Sequence, residues 1–425
     1  MTNVILLTID ALRADHLHCL GHPRPLTPRL DALAGESLLY ANAFANGPNT
    51  PYSLPALLLS RLARRGVDAS ESLPRSLRRG GYRAAAFNPN PVLFYRGAGP
   101  VLERWDRHFD HYDLMLPAGV RRRLLGETIR IAALRSLREG LEGARGAGKR
   151  TYRLAYRIYE AWLSLTAAGF RAFGEKAVPS GEALNARAWR WISAQKEPFF
   201  VWMHYMDVHD PYLPAAARPT RDDLRLVAKH REFPALLSPA EIGRLRRFYE
   251  MCVGEADAHV GAFLDFLDAS GIGDRSLVIV ASDHGEAFGE HGDFGHGQAF
   301  RATLYDELLR VPLIVRGLGR RGKVEIPVQL LDLAPTICDS VGIIRSPAFR
   351  GKNLLEAREG GIVSNTKYFL SYRTPDFKLI VHKEERGKDE LYDLGKDPGE
   401  RLDLAASRPE ELGRMRRALL AELRV

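Results

Sequence analysis

Cysteine is scarce in this sequence: 425 residues carry only Cys19, Cys252 and Cys338. Their number is odd and their spacing wide, so neither a disulfide framework nor a CxxC metal site follows. Such usage suits a reducing compartment. No uninterrupted apolar run approaches the ~20 residues that cross a bilayer. No basic segment and apolar stretch precede the first strand-like run, which begins within a few residues of Met1. No secretory signal is therefore visible, and the expected location is cytoplasmic. Internal repeats and low-complexity tracts are missing too. The basic residues are not interleaved with aromatics in a nucleic-acid motif, so no nucleic-acid partner is expected. What is present is ordinary for a chain with a large core: 45% hydrophobic and 27% charged residues. Lys and Arg number 61 against 52 Asp and Glu, a formal charge of +9. A basic surface of this kind suits anionic substrates or lipid headgroups.

The densest chemistry lies at Ser282-Asp283-His284-Gly285-Glu286, followed by His291 and Gly295-His296-Gly297. The apolar run Ser276 to Ala281 leads straight into it and reads as a buried parallel strand. Open α/β sheets bind ligands at the carboxyl ends of such strands. A carboxylate beside an imidazole suits a divalent cation. The amino terminus repeats the pattern, with Asn3 to Ile9 ending at Asp10. An acid so close to a buried strand needs a partner or a metal. Asp10, Asp283 and His284 are thus the expected metal ligands.

Two more loops belong to the same edge. Asn46-Gly47-Pro48-Asn49-Thr50-Pro51-Tyr52-Ser53 precedes the apolar helix Leu54 to Leu59. A hydroxyl there, near a metal and a helix amino terminus, is a candidate nucleophile. His204-Tyr205-Met206-Asp207-Val208-His209-Asp210 follows the strand Pro198 to Met203. Its histidines and acids suit metal binding or protonation of a leaving group.

Strand and helix alternate up to about Asp110, with another strand over Gly81 to Phe87. Residues of roughly 115 to 180 are rich in Arg, Leu and Ala, and Leu154, Ile158, Trp162 and Leu165 recur at helical spacing. We read an inserted helical lid whose basic face suits peripheral membrane contact. A helix over about 239 to 270, a strand over Arg310 to Val315 and a polar tail from about 345 complete the pattern. The expected division is a catalytic domain over 1–340 and a C-terminal subdomain with a small sheet and a terminal helix over 341–425.

Taken in order, these segments resemble the sulfatase branch of the alkaline phosphatase superfamily. The resemblance rests on Asn3 to Arg13, Leu26 to Asp31, Tyr40 to Phe44, His204 to Pro214, Ser282 to Glu286, Gly295 to Gly297, Leu331 to Thr336 and Glu390 to Leu394. It implies an α/β/α sandwich with a mostly parallel central sheet and a smaller C-terminal α+β subdomain. It also implies metal-dependent transfer of a sulfuryl or phosphoryl group. The divalent ion would be Zn, Mn, Ca or Mg, and the substrate a small-molecule, glycan or lipid-linked ester.

The departures from the family pattern are informative. Formylglycine sulfatases use Cys or Ser in C/S-x-P-x-R, but the nucleophile position falls here on Thr50, followed by Pro51-Tyr52-Ser53-Leu54. Threonine cannot be oxidised to formylglycine, which favours phosphodiester or phosphonate chemistry. The second acid after the first strand is Ala11, Asp283-His284 stands for Asp-Asn, and Asn88-Pro89-Asn90 replaces Lys-x-His. The resemblance therefore implies one cation on Asp10, Asp283, His284 and Thr50. Thr50 is the expected nucleophile, His296 a charge stabiliser, and His209 or His204 the leaving-group acid. Asp207, His209 and His296 form the expected second metal set, and Asn88, Asn90 and His291 the expected substrate contacts. A transferase acting on a glycan or lipid is the alternative.

Overall fold

A computed structural model describes residues 2–64, 67–90, 105–115, 179–196, 198–215, 217, 219–232, 237–296, 303–356, 360–384 and 388–423. The helical lid expected over about 115 to 180 lies almost wholly outside these residues.

The first strand, Asn3–Ile9, is β-branched and apolar because both of its faces are covered. Val4 and Leu6 pack on one side with Leu54, Leu57 and Leu58 of the helix Thr50–Leu59. Ile5, Leu7 and Ile9 pack on the other with Leu30, Leu184, Val253 and Val260. These come from the helices Pro28–Glu36, Gly181–Ser193 and Pro239–Ala269. The result is helix, sheet, helix, as the resemblance implied.

The central sheet has eight strands in the order Gly322–Val324, Leu38–Tyr40, Leu313–Arg316, Ser276–Ser282, Asn3–Ile9, Phe199–Tyr205, Arg83–Phe87 and His111–Asp113. Its middle is parallel and its register aligns the strand ends. Thr8 faces His204 on one neighbour and Ala281 on the other. Asp10, the loop after Tyr205 and Asp283 therefore leave the sheet at one level. The expected strand over Arg310 to Val315 is divided at Pro312, which has no N–H to give a ladder. Arg310–Val311 pairs with Ala43–Phe44, while Leu313–Arg316 runs antiparallel to Ser276–Ser282 in the main sheet.

The long helix Pro239–Ala269 begins in a capping box. Ser238 Oγ accepts from Glu241 N at 3.3 Å and Glu241 Oε2 accepts from Ser238 N at 2.7 Å. Toward the C-terminus, Ile362–Asn365, Phe369–Arg373, Phe377–His382 and Glu390–Asp393 form an antiparallel sheet. Met415 and Leu419 of the helix Pro409–Glu422 pack on its Leu379 and Leu391. Among the described residues, no helix is long and apolar enough to cross a membrane.

Candidate active site

The chain turns sharply after Asp10, with Ala11 at φ 60°, a left-handed conformation that costs energy for any residue with a Cβ. Several bonds hold it there. Tyr249 Oη donates to Ala11 O at 2.8 Å and Leu12 N donates to Ser282 Oγ at 2.9 Å. Ser282 Oγ lies 2.6 Å from Ile9 O and 2.7 Å from His284 O, joining the loops after the two central strands. Gly285 then passes so close to a neighbouring segment that a Cβ would lie 2.0 Å from Glu307 O. Its own N–H donates to Leu308 O at 2.8 Å.

Asp10, His204, Asp283 and His284 are all buried at this edge. His204 Nε2 lies 3.1 Å from Asp10 Oδ2, and His284 Nε2 lies 3.3 Å from Asp10 Oδ1 and 3.5 Å from Asp283 Oδ2. Thr50, first residue of the helix Thr50–Leu59, places Oγ1 3.4 Å from both Asp10 Oδ2 and His284 Nε2. Asn90 Nδ2 donates to Asp10 Oδ2 at 3.0 Å and lies 3.4 Å from Thr50 Oγ1. Asn88 Oδ1 accepts from Asn90 N at 2.8 Å, so Asn88 shapes the turn and Asn90 reaches the centre.

These residues fit a divalent cation. Ligand atoms of Asp10, His204 and Asp283 lie within 4.8 Å of one another. Asp10 Oδ1 and Asp283 Oδ2 are buried carboxylate oxygens that accept no hydrogen bond, a costly condition that a cation relieves. Burial opposes the charge on Asp10, but His209, His204 and His284 outweigh it and hold the carboxyl well below its usual range. Burial also opposes a charge on His284, yet Asp283 and Asp10 push its pKa up to about 9. The carboxylates demand positive charge, which a proton on His284 supplies and a divalent cation would supply in its place.

His204, expected among the leaving-group acids, is corrected by its placement. It faces Thr8 in the sheet, is buried, and has Nδ1 2.7 Å from Thr8 Oγ1. Trp202 Nε1 donates to the same hydroxyl at 2.9 Å, and that hydroxyl reaches Met203 O at 3.3 Å. With Nδ1–H given to Thr8, Nε2 keeps its lone pair for a cation. The ring thus lies with the candidate ligands, its Nε2 3.1 Å from Asp10 Oδ2.

A second group lies beside the first. His209, Asp210 and His296 bring ligand atoms within 4.8 Å of one another. The rings of His209 and His296 are 5.0 Å apart, and those of His284 and His296 are 4.7 Å apart. Asp210 thus stands where Asp207 was expected. Asp207 Oδ1 instead accepts from Gly181 N at 3.2 Å and lies 3.0 Å from His259 Nδ1, tying the loop to two helices. Glu286, to which the sequence pattern assigned no role, is buried with both carboxylate oxygens 3.2 Å from His296 Nδ1. Burial opposes a charge on His296, and Glu286 overcomes it and raises its pKa.

His291, expected at the substrate, is also corrected. Its Nδ1 lies 2.9 Å from Glu307 Oε1 and its Nε2 2.9 Å from Glu400 O, and the ring stacks on Tyr305 at 3.7 Å. Both nitrogens are committed to the protein, so the ring braces the loop after Asp283.

The family model described as Sulfatase matches residues 2–343. The chain belongs to the sulfatase family. This sulfatase-family chain is 29% identical to the uncharacterized sulfatase YidJ of Escherichia coli over 226 residues, 49% of this chain and 44% of that one. It is 29% identical to arylsulfatase K of Mus musculus over 194 residues, 40% of this chain and 34% of that one. The matches span less than half the length of these two relatives. Among solved structures, the phosphonate monoester hydrolase of Agrobacterium radiobacter superposes with a TM-score of 0.70 at 20% identity, covering 99% of this chain and 95% of that one. A 2-O glycosaminoglycan sulfatase superposes with a TM-score of 0.68 at 18% identity, covering 99% and 91%. These likenesses show the fold.

Proposed function

We propose that this sulfatase-family chain is a metal-dependent ester hydrolase with Thr50 as nucleophile, acting on phosphodiesters or phosphonate monoesters in preference to sulfate esters. The observation that carries the reading is Thr50 Oγ1, 3.4 Å from both Asp10 Oδ2 and His284 Nε2, where formylglycine sulfatases need an oxidisable Cys or Ser. Asp10, His204, Asp283 and His284 would hold the cation. When bound, a divalent ion lowers the pKa of a neighbouring hydroxyl and neutralises charge on the transferring group.

The chain supplies the rest. Asn90 Nδ2, donating to Asp10 Oδ2 and reaching Thr50 Oγ1, orients the hydroxyl against the carboxylate. The partial positive charge at the start of the helix Thr50–Leu59 favours the equatorial oxygens. His296, its Nδ1–H fixed on Glu286, adds positive charge on the same side. His209 Nδ1 lies 2.6 Å from Asp210 O, which accepts its hydrogen, and in the imidazolium form its Nε2–H would protonate the leaving oxygen. The neighbours' names support both chemistries, since one is a phosphonate monoester hydrolase and another a sulfatase.

The test is turnover of nitrophenyl phosphate, phosphodiester, phosphonate and sulfate by protein reconstituted with Zn²⁺ or Mn²⁺. Phosphodiester or phosphonate should turn over fastest, and Thr50→Ala should lower kcat at least about 1,000-fold with metal content unchanged. Sulfate turnover above both, or full activity in Thr50→Ala, would overturn the reading.

A further inference from the structure

The segment His16-Leu17-His18-Cys19-Leu20-Gly21-His22 carries three imidazoles that the reaction does not use. Two of them meet a carboxylate of the long helix. His16 and His22 stack with ring centroids 5.3 Å apart, and His22 Nε2 lies 3.9 Å from Glu250 Oε1. One ligand atom from each of the three residues lies within 4.8 Å of the others.

The surroundings have selected the ligand nitrogens. His16 Nδ1 lies 2.8 Å from Asp15 Oδ1, an acceptor, so Nδ1 carries the hydrogen and Nε2 the lone pair. His22 Nδ1 faces both Arg24 O at 2.9 Å and Arg24 N–H at 3.2 Å, and the shorter contact to the carbonyl favours a hydrogen on Nδ1, with Nε2 turned toward Glu250. Carboxylate or carbonyl partners on the far nitrogen are the outer support that metal-bound histidines show. Arg24 holds Glu250 by Oε2, which leaves Oε1 toward His22. Arg13 and Asp15 pair through 2.9 Å and 2.7 Å bonds, fixing the carboxylate that orients His16.

We propose that His16, His22 and Glu250 form a second divalent-cation site, for a zinc-like ion, separate from the catalytic centre. Two imidazoles and one carboxylate match a borderline transition metal better than Mg²⁺ or Ca²⁺, which take oxygen ligands. Ligands of a tetrahedral zinc sit about 2.0–2.2 Å from the metal and so close to about 3.4 Å from each other. The approach falls to the short turns Ala14–His16 and His18–Leu20 rather than to the sheet. The ion would clamp the loop after Asp10 to the helix Pro239–Ala269.

The test combines crystals and stoichiometry on the full chain. Anomalous scattering at the zinc edge from a zinc-soaked crystal should give a peak between His16, His22 and Glu250. A crystal with an anomalous peak at Asp10 and Asp283 but none at this triad would overturn the proposal. In solution, metal-free protein loaded with ZnCl₂ and desalted should lose one equivalent of zinc in His22→Ala and in Glu250→Gln. Unchanged stoichiometry in both variants would also overturn it. The crystal measurement needs no variant, so a folding defect in either substitution leaves the proposal testable.

Discussion

Asn90 shows how much one amide can carry at the residue scale. Its Nδ2 serves Asp10 Oδ2 and borders Thr50 Oγ1, so it orients both the carboxylate and the hydroxyl. Asn90→Ala should lower kcat about 10- to 100-fold, the usual cost of losing an outer partner of a metal site, with zinc content retained. Steady-state kinetics beside metal analysis checks this. The sequence exposed Asp10, Thr50, Asp283 and His284 because each directly follows an apolar strand or opens an apolar helix. It could not rank Asp207 against Asp210, since both lie in one short loop and only the turn decides which acid reaches His209. His291 was equally ambiguous, because its partners Glu307 and Glu400 are 16 and 109 residues away.

The contacts between elements are where distant residues do local work. The helix Pro28–Glu36 has Thr27 at its N-cap without a side-chain cap bond. Asp257 of the long helix replaces that cap, accepting from Leu30 N at 2.8 Å and Arg29 N at 3.0 Å. Burial outweighs those two bonds and pushes the Asp257 carboxyl from 3.8 up to about 6. The folded state therefore binds this proton more tightly than the unfolded chain. The stabilisation is complete below pH 3.8 and is lost as the pH rises through about 6. The stability of the wild type relative to Asp257→Asn should fall across that window and level off above it, as urea melts at stepped pH would show. Apolar runs were enough to locate the strands Asn3–Ile9 and Ser276–Ser282, the second read one residue short at Ala281. Pro312 marks a break in the ladder, but no pattern of single residues tells which sheet each half joins, because strand pairing is a property of both partners.

Across the whole molecule, the C-terminal sheet is joined to the catalytic region by buried charge. Lys378 is fully buried, with Nζ 2.8 Å from Asp306 Oδ1 and 2.6 Å from Glu400 Oε1. Arg373 adds bonds of 2.9 and 2.7 Å to Asp306, and Asp306 N donates to Glu400 Oε2 at 2.7 Å. Lys378→Met leaves Glu400 without its cation beside Asp306, which keeps Arg373, and should cost about 3–5 kcal/mol in chemical denaturation. The sandwich and its small sheet were legible from the order of motifs, whereas a lysine in an apolar strand gave no hint of its partners. The same sheet reaches the loop before Thr50, the proposed nucleophile. Asn46 gives its side-chain hydrogens to Gln329 Oε1 and Val363 O, both at 2.8 Å, and Asn365 N donates to Asn46 O at 3.0 Å. Asn46 is four residues before Thr50, so the loop has its foundation in a part of the chain far away in sequence. A chimera that transplants a cysteine-bearing maturation motif into positions 50–54 alone will sit on a mismatched base. Redesign toward sulfate chemistry has to exchange residues 362–365 together with the loop.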